Sequence, residues 1–143
     1  MNPCYICRVD PTSHSFHMID SSCQSIHLFY SCQAKATKYY ERVGVVEHFR
    51  LHLEKNNNYP WAYILDCKDF TMEHASQILT SLELACMVQT HYVKSLKKVW
   101  IINYTWMIEI VINTIMLILE DDLKHIIEIT DKTIEEIQRI DSV

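Results

Sequence analysis

The stretch Ser95–Asp122, SLKKVWIINYTWMIEIVINTIMLILEDD, decides how the chain folds. From Val99 to Leu119 a single residue is charged, Glu109. Lys97 and Lys98 precede the run, and Glu120, Asp121 and Asp122 follow it. A run of this length is long enough to cross a bilayer. Its flanking charges suit a span with a cytoplasmic N-terminus. Three features oppose that reading. Glu109 would sit mid-bilayer, at a cost of about 2.5–3.5 kcal/mol on insertion scales. Asn103 and Asn113 add to the cost. The upstream sequence also alternates strand and helix patterns that this segment would continue. The stretch therefore reads as a buried strand, Lys98–Asn103, followed by an apolar helix from about Trp106 to Leu119.

At about 100° per residue, Thr105, Glu109, Asn113 and Glu120 fall on one stripe of that helix. The remaining positions are apolar. A helix apolar around most of its circumference is buried on two sides or faces something apolar that is not protein.

Working outward, the same alternation recurs. SIHLFYSC (Ser25–Cys32) and WAYILD (Trp61–Asp66) are short runs rich in β-formers. CYICRV and SFHMID are weaker strand candidates, with the turn DPTS (Asp10–Ser13) between them. Over residues 37–55 the period changes, and Tyr39, Val43, Val46, Phe49 and Leu53 predict a helix face. NNNYP (Asn56–Pro60) ends it. After WAYILD, Asp69 or Thr71 is placed to cap a helix running to about Leu96. Ala75, Ile78, Leu82, Cys86, Gln89, Val93 and Leu96 form its face. HIIEIT (His125–Thr130) is a last short strand. TIEE (Thr133–Glu136) is a capping box that opens a short helix. Strands alternating with helices predict an α/β fold: a mainly parallel sheet of four to five strands flanked by helices, in one domain over residues 1–143.

Composition narrows the function. The chain has 143 residues, 22% of them charged, and a net charge of −5. That argues against a nucleic-acid partner, which normally needs a basic excess. The one glycine, Gly44, lies in a predicted helix. Phosphate-cradling loops need several glycines, so both common nucleotide-binding motifs are excluded. No cofactor is implied. The six cysteines follow an N-terminus too polar for a signal peptide. Free thiols in a reducing, cytoplasmic setting are expected.

Three constellations have chemistry to weigh. Cys4, Cys7, His14 and His17 form C-x2-C-x6-H-x2-H, with ligand types and a half-site suited to zinc. The H-x2-H spacing is short, and Cys23, His27 and Cys32 are alternative donors. These four remain weak candidates, and no metal is assigned. Asp66 and Asn103 each end a strand, where ligands of open α/β sheets gather. Asp66 is a conceivable nucleophile or base beside Cys67, but no triad can be assembled from the spacing. The expectation is a non-catalytic protein. Lys94, Lys97 and Lys98 cluster before the last long strand. They suit a solvated helix end or attraction to anionic headgroups at a membrane surface.

WAYILD, the following helix, a basic turn, VWIINYTWMIEIVI and HIIEIT together resemble the CRAL-TRIO lipid-binding family, in particular its BCH-domain-like branch. Thr105-Trp106, with LKKVWII ahead of it, matches the family's third strand and the start of its apolar helix. SIHLFYSC matches the first core strand. The similarity runs from about Ile19 to Ile140. Tyr104 stands where the family usually has proline. The N-terminal helical module and the Pro- and Gly-containing terminal segment of the family are not found. The resemblance implies a sheet floor under a pocket closed by the helix after Trp106. The implied function is non-catalytic binding of a phospholipid or other hydrophobic small molecule, with lipid transfer or sensing at a transient membrane surface. The implied pocket is Met87, Ile102, Trp106, Ile110 and Met116, with Glu109 and Asn113 as a polar stripe. The alternative is a filled-core scaffold that binds a small GTPase, its regulator or a second copy of itself.

Overall fold

Residues 2–143 are described from a computed structural model. Five strands lie side by side in chain order: β1 His17–Ile19, β2 His27–Cys32, β3 Trp61–Asp66, β4 Leu96–Ile102 and β5 Ile127–Ile129. β1 pairs antiparallel with β2, and the other three pairs are parallel. The helices are α1 Tyr5–Val9, α2 Arg42–Asn56, α3 Met72–Ala75, α4 Ile78–His91, α5 Trp106–Met116, α6 Asp121–His125 and α7 Ile134–Gln138. The mainly parallel α/β sheet is the expected one.

Parallel neighbours that follow in chain order, joined by crossovers of one hand, place their helices on the same face of the sheet. α2, α4 and α5 accordingly pack against one another on one face. Strand side chains alternate, so each strand divides between two cores. Phe29, Trp61, Tyr63, Leu65, Val99 and Ile101 face the helices. Leu28, Tyr30, Ala62, Ile64, Trp100 and Ile102 face the back, where Cys23, Ile26 and Ile137 of α7 cover them. The Thr133–Glu136 capping box is present: Glu136 N–H donates to Thr133 Oγ1 over 3.1 Å. The Gln138 side chain donates to the Asp20 carbonyl, tying α7 to the loop before β2.

The decisive stretch divides into β4 and α5, as read. Among the described residues, no helix is long and apolar enough to cross a membrane. Three local expectations need correction. CYICRV is the helix α1, not a strand. The buried side of α2 is Val45, His48, Phe49, Leu53 and Asn56, and Val43 is 79% exposed. Two inward residues are polar and satisfied, and Asn56 is one: it bonds His27 Nδ1 over 2.6 Å and the Tyr59 carbonyl over 2.9 Å. A hydrophobic period cannot register inward polar residues whose partners are distant. The long helix predicted after WAYILD is broken into α3 and α4. Thr71 and His74 form a capping box at the start of α3, and Ser76 Oγ donates to the Glu73 carbonyl at its end. Leu96 belongs to β4, opposite Trp61.

Candidate functional site

An apolar cavity of about 180 Å³ lies between the sheet and the helix layer. Its floor is the helix-facing side of the central strands: Trp61, Tyr63 and Leu65 of β3, and Val99 and Ile101 of β4. Phe49 and Leu53 of α2 form one wall, and Leu84, Ala85 and Val88 of α4 another. Phe16 closes a side, stacked on Phe29 at 5.0 Å and on Phe49 at 4.2 Å. Ile108, Val111, Ile112 and Ile115 of α5 roof it.

Few polar groups enter this space. The Tyr63 hydroxyl and Ser31 Oγ share a hydrogen bond at the floor. Burial pushes the Tyr63 phenol well above its ordinary pKa. Tyr63 is therefore a neutral hydrogen-bonding group at neutral pH, not a charge. His74, Thr80 and Ser81 edge the cavity on the α3–α4 side. Burial lowers the His74 pKa, which favours its neutral ring.

Helical geometry decides which side of α5 does what. At about 100° per residue, Ile108, Val111, Ile112 and Ile115 cluster on one side. Trp106, Glu109, Ile110, Asn113 and Leu117 point to the other. Trp106 is 63% exposed, Ile110 52% and Leu117 84%. Of the expected pocket residues, Trp106, Glu109, Ile110 and Asn113 thus lie on the outer face of α5. Ile102 is buried in the opposite core, because Ile101 takes the inward position on β4. Met87 and Met116 pack on the helix-side core without lining the cavity. The polar stripe of Glu109 and Asn113, expected to line the pocket, instead marks the outer face of α5.

The end of α5 is held by one side chain. Gln89 Nε2 donates to the Ile118 carbonyl over 3.0 Å, and Gln89 Oε1 accepts from Glu120 N–H over 2.6 Å. Lys94 and Lys97 are exposed near the start of β4. Lys98 is paired instead: its Nζ lies 3.0 Å from Glu128 Oε1, and this bond holds the Glu128 carboxyl below its usual range.

Asp66 faces the back of the sheet, away from the cavity. Its carboxylate accepts from Tyr30 Oη at 2.7 Å, Asn103 Nδ2 at 2.8 Å and Lys68 N–H at 3.0 Å. It is a buried tie between strand ends, with donors already in place. Cys67, next to it, is pushed up to about 12 by burial, then by the Asp66 charge, which leaves a protonated thiol.

A second cluster lies beside the cavity wall. Cys4, Cys7, His14 and His48 bring their donor atoms within 4.8 Å of one another, all four residues buried. His17 is not among them. It sits on β1, exposed, with its ring against Tyr30. The fourth place is taken by His48 of α2, which no local spacing could reveal.

The CRAL/TRIO domain model matches residues 1–140 of the chain. The fold is similar to that in the crystal structure of Sfh5, with a TM-score of 0.66 and 10% sequence identity. The likeness covers 83% of this chain and 47% of that one, so the chain spans about half the length of that structure. No curated protein matches by sequence.

Proposed function

We propose that this chain, which belongs to the CRAL/TRIO family, binds a hydrophobic small molecule, of phospholipid type, in the cavity beneath α5. The observation that carries the reading is the position of α5. Its inner face roofs an apolar cavity, while Trp106, Ile110, Leu117 and Ile118 stand exposed on its outer side around the polar pair Glu109 and Asn113. The apolar residues of that mixed face are best covered by something apolar at a polar boundary. A bilayer surface provides that contact.

The cavity, at about 180 Å³, is small beside ligand sites of about 300–1,000 Å³. A lipid tail therefore enters as α5 swings outward. Each methylene removed from water contributes about 0.8 kcal/mol. Such burial offsets the loss of helix-to-floor packing in the open form. Opening is cheapest where the bilayer covers the exposed outer face of α5, which couples loading to the membrane. Lys94 and Lys97 would add attraction to anionic headgroups of about 1 kcal/mol each near the surface. Lys98 contributes less, being paired with Glu128. Nothing in this scheme breaks a bond, and the protein is a binder, with transfer or sensing as its use.

Native and denaturing mass spectrometry of the intact chain, purified from cells without detergent, tests the reading. A bound mass that is lost on denaturation and extracts into organic solvent is expected. Filling the cavity with Ile112→Trp should remove it while the circular dichroism stays native. A clean unliganded mass from the folded parent would overturn lipid binding. It would favour the scaffold of the BCH-like branch, with a small GTPase, its regulator or a second copy as partner.

A further inference from the structure

We propose that Cys4, Cys7, His14 and His48 bind one zinc ion in a closed, structural site. The inference stands apart from the lipid reading. All four residues are buried, with exposures of 3%, 3%, 7% and 2%. Their donor atoms converge from three parts of the chain: α1 and its N-cap, the segment before β1, and α2.

The distances suit a tetrahedron. With Zn–S of about 2.3 Å and Zn–N of about 2.0–2.1 Å, a tetrahedral S···N edge is about 3.6 Å. Cys4 Sγ lies 3.6 Å from His14 Nδ1. Cys7 Sγ lies 3.5 Å from His14 Nδ1 and 3.5 Å from His48 Nδ1. One imidazole is already oriented as a ligand. His48 Nε2 is 2.8 Å from the Phe16 carbonyl, so that nitrogen carries the proton and donates. Nδ1 then keeps its lone pair, aimed at the sulfurs. A backbone carbonyl in this role is a usual outer partner of a metal-bound histidine.

The donor set selects the ion. Two thiolates and two imidazoles favour zinc over calcium or magnesium, which take oxygen ligands. Two thiolates also balance the dication, so the buried site is neutral overall. Four protein ligands leave no open position, which makes the site structural rather than catalytic. Gly44 of α2 lies beside the ligand ring and α1: a Cβ there would sit 3.4 Å from His14 Nε2 and 3.4 Å from Ile6 Cδ1.

The ion would pin α1 and residues 13–16 onto α2. Phe16 follows His14 by two residues, and Phe49 follows His48 by one. Both line the apolar cavity, so the metal would brace its wall.

The test is metal analysis of the full chain grown with zinc and purified without chelator. One zinc per chain is expected. Cobalt exchanged into the same protein should give the visible bands of a tetrahedral site and a thiolate charge-transfer band. Cys7→Ser and His48→Ala should lose the zinc, and His17→Ala should keep it. If the first two variants fail to fold, the cobalt spectrum of the parent protein decides. A folded parent protein that takes up neither ion overturns the proposal. So does loss of zinc in His17→Ala with retention in His48→Ala.

Discussion

Asn103, at the turn after β4, donates its side-chain amide to the Asp66 carboxylate at the end of β3 over 2.8 Å. Asn103 holds a left-handed backbone, φ 54°, which asparagine tolerates better than most residues. The tie thus sets the end of the two central strands just before the chain enters α5.

Asp66→Ala removes the acceptor for the Tyr30 hydroxyl, the Asn103 amide and the Lys68 N–H. Of these donors Tyr30 is the buried one, and leaving a buried donor without its acceptor costs about 1–3 kcal/mol. The urea midpoint should fall by a corresponding amount, with an unchanged slope. An unchanged midpoint would mean that the carboxylate is not holding the strand ends.

The two faces of α5 should respond differently to truncation. Ile112→Ala opens space in a packed core and should cost about 2–5 kcal/mol. Trp106→Ala, on the exposed face, should change stability by no more than about 0.5 kcal/mol. It should also weaken binding to anionic vesicles, measured by flotation. Equal destabilisation by the two variants would contradict the orientation of the helix.

Gln89→Ala breaks both bonds that hold the chain just beyond α5. Neutral hydrogen bonds contribute about 0.5–1.5 kcal/mol each. Amide exchange across α5 and Ile118–Glu120 should quicken in this variant while β3 and β4 keep their protection. Uniform exchange across the sheet and α5 would show that Gln89 is no local latch.

Cys86 is the exposed thiol among the six cysteines. Burial raises the pKa of Cys32, and that of Cys67 to about 12, so both stay protonated at neutral pH. Thiolates are the reactive form. A thiol reagent at neutral pH should therefore modify one equivalent quickly, abolished by Cys86→Ser, and the rest only on unfolding. Rapid loss of several thiols in the folded chain would contradict this packing.

Much of the architecture was open to a reading of the residues in order. The polar breaks in Ser95–Asp122, with the strand–helix alternation upstream, separate β4 from α5. WAYILD and HLFYSC are strands because β-formers run through them between turn residues. The capping box at Thr133 sets the start of α7 by purely local bonds. The buried residues of α2 were harder, because His48 and Asn56 point inward to Phe16 and His27, which are far away in the chain.

Local pattern and composition thus determined the strand–helix alternation from β2 onward, the mainly parallel sheet, and the need of α5 for apolar neighbours. These depend on the periodic placement of apolar side chains, which a single segment contains. Tertiary structure alone decided that Ile101 faces the cavity and Ile102 the back, that Trp106 lies outside, and that His48 rather than His17 joins Cys4, Cys7 and His14. A one-residue step reverses a strand's side chains, and a narrow polar stripe on an otherwise apolar helix can line a pocket or face solvent until the helix is packed. Donors 41 residues apart meet only after α1 has packed on α2.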